Sequence, residues 1–257
     1  MQSDAAVGNG YFGVRQGVEG YCLTRATLLI ALNPLMWEQI RRTYHLDGAA
    51  VVFAPNGVEE AFFTQHSAPY SPVKGRFNIC YIGALTKNRG IDLLVRSCAI
   101  LQESHPWIRL YLIGPYGPGI PDDLKEEIEA SDFIVRTKLP RSAIPAALAP
   151  MDLLVLPYNP QERYLNLASP TKLFEYIGAA KPILCTRCES LTGINDGGGF
   201  MYVDYSPREM AEAIGHLIAH PEVCEGIGRA LCRIHERHTW AERAGRVYRG
   251  LDLVWRE

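Results

Sequence analysis

The sequence predicts an α/β domain built on a Rossmann-like parallel sheet with helices on both faces. Two observations carry this. Short, almost continuously apolar strands alternate with helical periodicity over some 125 residues from Phe77, as in parallel strands buried on both faces. Several strands also end at glycine or proline (Gly83, Gly114, Pro157), at the carboxyl edge where ligands bind such sheets.

Residues 1–20 hold five glycines with little periodicity and are expected to be loop. The apolar segment from Ala26 leads through Asn33-Pro34 into a helix with Leu35, Ile40 and Tyr44 on one side. Val51-Val52-Phe53 reads as a short strand. Asn56-Gly57 after it predicts a sharp turn through positive φ, and Thr64–Gly75 a loop.

From Phe77 the pattern is regular. Strands are expected at Phe77–Ile82, Ile108–Ile113, Phe133–Val135, Leu153–Leu156, Ile183–Cys185 and Phe200–Val203. Between them fall helices carried by Ile91/Leu94/Val95/Cys98/Leu101, by Pro121–Ala130, by Arg141–Leu148 and by a segment starting at Ser169. Three helices follow, the last from Trp240.

Composition excludes several classes. A hydrophobic content of 47% suffices for a core, and a net charge of −2 lacks the basic excess of a nucleic-acid binder. No apolar run reaches the ~18–20 residues that cross a bilayer, and residues 1–20 do not resemble a signal peptide. Seven scattered cysteines read as reduced thiols of a cytoplasmic protein. Cys232, His235 and His238 do not share one helix face, so no metal site is expected.

The stretch Ala168–Pro182 is the most informative. Ser169 stands at a capping position, Pro170 in the first turn, and Glu175 further along. Amides at a helix start can take a phosphate, and a carboxylate nearby can accept ribose hydroxyls, so a nucleotide is indicated. Lys172 and Glu175 also fit a surface ion pair at i, i+3. After the first strand, Gly83 permits close approach of a ligand, and Arg89 and Lys87 are either diphosphate partners or solvated cations. Gly114-Pro-Tyr-Gly-Pro-Gly lacks the GxGxxG spacing and follows the second strand, which speaks against a nicotinamide-dependent oxidoreductase. Gly197-Gly-Gly reads as a turn.

Together these segments resemble glycosyltransferase family 4, the retaining "group 1" transferases of the GT-B fold. Pro55-Asn56-Gly57-Val58-Glu59 resembles that family's PNGVD turn. Ile82-Gly83-Ala84-Leu85 through Arg89-Gly90-Ile91-Asp92-Leu93-Leu94 resembles its GRL and KG segment. Leu112-Ile113-Gly114 resembles the glycine turn after the next strand. Ser169-Pro170-x-Lys172-Leu173-Phe174-Glu175-Tyr176 through Lys181-Pro182 resembles the end of its E-x7-E segment.

The resemblance implies a hexosyltransferase-type enzyme of polysaccharide or glycoconjugate assembly, transferring sugar from a nucleotide-diphosphate donor to a glycan or lipid-linked acceptor. It implies residues 1–50 as a remnant of the amino-terminal acceptor domain and 51–257 as the donor-binding domain, with a terminal helix over 240–256 crossing back. By position, Glu175 would hold the ribose. Ser169, Pro170 and Thr171, with Lys172, Arg89, Lys87 and Gly83, would face the diphosphate, and Thr137 and Lys138 would border the base. Arg89 and Lys172 would act on the leaving group, with no cofactor or obligatory metal. The family's arginine after the strand glycine is Ala84 here, and the first glutamate of E-x7-E is Leu167. The resemblance further implies a peripheral place at the cytoplasmic membrane face, and a partner amino-terminal half or self-association. The alternative is a non-catalytic nucleotide-sugar-binding module; a GT-B epimerase would need paired acid/base carboxylates that the sequence does not show.

Overall fold

The computed structural model describes residues 16–63, 75–194 and 198–255. The chain divides into two compact units, one running to Pro55 and resuming at Arg243, the other spanning Asn56–Glu242.

In the smaller unit, residues 16–25 form helix α1, where the glycine content had predicted loop. Glycine costs about 1 kcal/mol in a helix, and tertiary contacts offset it: Tyr44 donates from its hydroxyl to Glu19 at 2.8 Å. Strands β1 (Leu29–Ala31) and β2 (Val51–Phe53) pair in parallel around α2 (Pro34–Tyr44). Asn33 caps α2, its side-chain oxygen accepting from the Met36 amide at 2.8 Å, with Pro34 in the first turn.

The larger unit holds a six-stranded parallel sheet. Its strands are β3 (Phe77–Ile82), β4 (Ile108–Ile113), β5 (Ile134–Thr137), β6 (Leu153–Leu156), β7 (Ile183–Thr186) and β8 (Phe200–Val203), in the order β5-β4-β3-β6-β7-β8. Every residue of β6 and β7 is buried, as their unbroken apolar runs require. Helix α3 (Ile91–Gln102) packs on α9 (Pro207–Ala219), and α7 (Thr171–Ala179) on α10 (Pro221–Ile234), which covers both faces. The remaining helices are α4 (Asp122–Ala130), α5 (Ile144–Leu148), α6 (Arg163–Leu167) and α8 (Glu189–Thr192). The terminal helix, α11 (Trp240–Trp255), runs into the residues of the smaller unit.

Two short helices, α6 and α8, stand where the sequence predicted no element. They pack on one another, and Ser190 donates to the Leu165 carbonyl at 2.8 Å. The Arg141 segment begins as a 3-10 turn and becomes α-helical only at Ile144. Gly57 is not at positive φ. A Cβ there would sit 2.6 Å from the Thr239 backbone carbon, so glycine is required by close approach rather than by a turn. Residues 1–15, most of the Thr64–Gly75 segment and Gly197 lie outside the described residues. All seven cysteines are free thiols.

The strand order reverses between β3 and β6. These neighbours pair only at Ile79–Leu153 and Cys80–Leu154, and then diverge toward their carboxyl ends. Tyr176 of α7 fills the gap: its hydroxyl accepts from the Ile82 amide at 2.9 Å and donates to the Val155 carbonyl at 3.5 Å. The crevice of an open parallel sheet lies at this point.

Candidate functional site

At the crevice, three glycines let backbone segments approach as side chains could not. Gly83, at φ +117°, follows β3, and its amide donates to the Ile113 carbonyl at 2.9 Å. A Cβ on Gly83 would stand 2.6 Å from the Lys172 amine. One on Gly114 would overlap the Gly83 carbonyl, and one on Gly90, at φ +71°, would overlap the Pro157 carbonyl. The loop after β3 is thereby drawn against the loop after β6, where Asn159 donates its amide to the Asn88 carbonyl at 3.2 Å. Arg89, ending the 3-10 turn Lys87–Arg89, reaches back toward Gly83 and the Tyr81 hydroxyl.

Ser169 does not cap α7. Pro170 occupies the cap position without a side-chain bond, and the helix begins at Thr171. Ser169 is buried and turned to the PNGV segment. Its hydroxyl accepts from the Asn56 amide at 3.3 Å, and its carbonyl from the Asn56 side chain at 2.5 Å. The Leu173 amide donates to the Pro170 carbonyl at 3.0 Å, which leaves the Thr171 and Lys172 amides as the first-turn donors at the crevice.

Lys172 and Glu175 are not a surface pair, since both are buried. The Lys172 amine donates to the Tyr81 hydroxyl at 2.7 Å and lies 4.1 Å from the centre of that ring. Tyr81 in turn donates to the Ala84 carbonyl at 3.2 Å. Burial and, after it, the nearby Arg89 charge hold the Lys172 amine well below the ordinary lysine range, with Glu175 opposing. Glu175 pairs instead with Arg141, 3.0 Å from Nη1 to Oε1. Burial raises the Glu175 carboxyl; Arg141 and Lys172 pull it down, while Glu59 pushes it up.

These groups line an open cleft of about 400 Å³. Of the residues singled out from sequence, Gly83, Arg89, Lys138, Pro170, Thr171, Lys172 and Glu175 line it. Lys87, Thr137 and Ser169 do not: Lys87 is exposed, Thr137 closes β5 with its carbonyl accepting from the Gly114 amide, and Ser169 serves Asn56. Arg136, beside Thr137 in β5, is held by Glu129 and stacks on Tyr116, leaving Lys138 and Leu139 at the cleft. Sequence reasoning missed Tyr158 and Arg141, which also line it. Tyr158 directly follows the apolar β6 run and its proline, a signal for an edge residue; Arg141 carried none. Among the described residues, no group of three histidine, cysteine or acidic side chains could hold a metal ion.

The family described as "Glycosyl transferases group 1" matches residues 76–220, more than half of the chain. The chain belongs to this family. Among curated relatives, a D-inositol 3-phosphate glycosyltransferase of Kineococcus radiotolerans is 26% identical, over 87% of this chain and 57% of its own length. One of Arthrobacter sp. is also 26% identical, over 85% and 54%. The chain therefore spans a little over half the length of these curated relatives. Among solved structures, sucrose-phosphate synthase of Thermosynechococcus elongatus superposes with a TM-score of 0.74 at 18% identity, over 94% of this chain and 62% of that one. Anabaena HepE, crystallised with UDP and glucose, gives 0.68 at 16% identity, over 90% and 64%. The carboxy-terminal domain of the Francisella tularensis group 1 protein LpcC gives 0.57 at 15% identity, over 72% of this chain and all of that domain. These neighbours share the fold, the Rossmann-like architecture of GT-B glycosyltransferases.

Proposed function

We propose that the cleft at the β3–β6 crevice binds a nucleotide-diphosphate sugar. The protein would transfer the sugar, with retention, to a glycan or lipid-linked acceptor in polysaccharide or glycoconjugate assembly. The observation that carries this reading is that one helix carries, three residues apart, a buried amine, Lys172, and a buried carboxyl, Glu175, both opening on the cleft that Arg89 also lines. A diphosphate needs cations and free amides; a ribose needs a hydrogen-bond acceptor three residues further along. In this reading Glu175 accepts the ribose hydroxyls, and the Thr171 and Lys172 amides, with Arg89 and the Lys172 amine, face the diphosphate. Lys138 stands toward the base.

The chemistry follows from charge. As the bond between the anomeric carbon and the phosphate oxygen breaks, negative charge develops on the departing diphosphate. Fixed cations in a partly dehydrated cleft stabilise it most at that moment. Arg89 takes the place of the family's arginine, which is Ala84 here, and offers a planar fork. With two side-chain cations in this role the transfer has no obligatory metal. Residues 1–50 belong, in this reading, to the acceptor-side domain and 51–257 to the donor side, within family 4 of the retaining enzymes.

Calorimetric titration with UDP, GDP and their sugars tests the assignment. The wild-type chain is expected to bind one of them, and Glu175→Ala to bind it roughly 10- to 100-fold more weakly, the loss of a hydrogen bond to a charged group. No nucleotide bound by the wild type, or equal binding by the variant, overturns it.

A further inference from the structure

Arg141 is the charged cleft residue that the reading above leaves without a task. It stands on the 3-10 turn ahead of α5, and its guanidinium joins two carboxylates. Nη2 and Nε meet Oε1 of Glu59 at 2.6 and 3.1 Å, and Nη1 meets Oε1 of Glu175 at 3.0 Å. Glu59 lies 82 residues away along the chain. Among the described residues its other oxygen, Oε2, is buried without a hydrogen-bond partner, and the carboxylate's hydrogen bonds go to Arg141.

We infer that Arg141 is a positioning residue for the donor site: anchored by Glu59, it holds the Glu175 carboxylate in place as the acceptor of ribose hydroxyls. This rests on the ribose assignment to Glu175. A planar guanidinium held at one end by two bonds presents its remaining amine in a fixed direction, which a lone lysine could not do as well. Contact is made to one Glu175 oxygen, leaving Oε2 to meet a hydroxyl. Arg141 is a poor candidate for a diphosphate cation of its own, because two carboxylates already face its charge. It also favours the ionised form of a carboxyl that burial disfavours. The charged groups facing Glu175 are Arg141 and Glu59 from neighbouring segments and Lys172 from its own helix; His238 packs against Phe174 beside it.

A double-mutant cycle on the full chain tests this, reading nucleoside diphosphate affinity by calorimetry between pH 5 and 8. Arg141→Ala is expected to weaken binding roughly 5- to 30-fold, and to have little further effect on Glu175→Ala, since a residue acting through another adds nothing once that other is gone. Arg141→Lys should recover part of the loss. Binding that requires ionised Glu175 should also fail at a higher pH in Arg141→Ala than in wild type as the solution is acidified. Arg141 is more than half exposed, so a thermal melt should find the variant folded. Additive losses in the cycle would mean that Arg141 touches the ligand directly, and would overturn the inference. So would undiminished binding by Arg141→Ala while Glu175→Ala is impaired. If Glu175→Ala itself binds normally, the ribose assignment falls, and this inference with it.

Discussion

At the scale of single residues, the site depends on what side chains would occupy as much as on what they do. Gly83 combines φ +117° with a position where a Cβ would stand 2.6 Å from the Lys172 amine. Alanine there must strain the backbone and displace a buried cation at once. Each effect is of order 1–3 kcal/mol, so Gly83→Ala should lower the unfolding midpoint measurably and weaken diphosphate binding at least tenfold. An alanine variant with unchanged melting and affinity would show that the loop after β3 adjusts freely, contrary to its tie to Gly114 and Asn159. Ser169 carries the opposite lesson. A serine before proline at a helix start invites a capping assignment, yet its hydroxyl accepts from Asn56, 113 residues earlier. Local sequence could not reveal so distant a partner.

At the scale of elements, Tyr176 explains how β3 and β6 separate without leaving polar backbone unpaired. Its hydroxyl serves the Ile82 amide and the Val155 carbonyl where the ladder ends. Tyr176→Phe keeps the ring and removes both bonds, leaving a buried amide unsatisfied at a cost of about 1–3 kcal/mol. Urea unfolding should show a lower midpoint with an unchanged slope. A midpoint equal to wild type would mean that another group takes the Ile82 amide. The six strands were legible because each is an apolar run bounded by turn residues, and their order of appearance with intervening helices fixes a parallel sheet. Helices α6 and α8 were not, because each is at most five residues long and owes its form to tertiary contact rather than periodicity. Lys172 and Glu175 were legible as a candidate pair, but their burial was not. Spacing of i, i+3 looks the same on an exposed helix as on one packed under a sheet edge, and Tyr81 and Arg141 come from other segments.

At the scale of the whole molecule, the cleft carries charge that opposes folding near neutral pH. Glu175 is raised by burial, so its stabilising contribution is complete below the ordinary glutamate value and is lost as pH rises through its raised value. Lys172 is lowered, so its contribution is complete above the ordinary lysine value and is lost as pH falls through its lowered one. Neither group contributes its full share near neutrality, which suits a site meant to be completed by an anionic ligand. Lys172→Met keeps length and apolar contact with Tyr81 while removing the buried amine. It should raise the stability of the unliganded chain at pH 7 by about 0.5–2 kcal/mol, as replacements of strained functional groups commonly do. That gain should shrink as pH approaches the ordinary lysine range, where wild type regains its own contribution. The same variant should lose the increase in melting temperature that a saturating nucleoside diphosphate gives wild type by mass action. Thermal melts at several pH values, with and without ligand, read all three effects. A Lys172→Met chain less stable than wild type at every pH would make Lys172 a structural prop rather than a charge held for the donor.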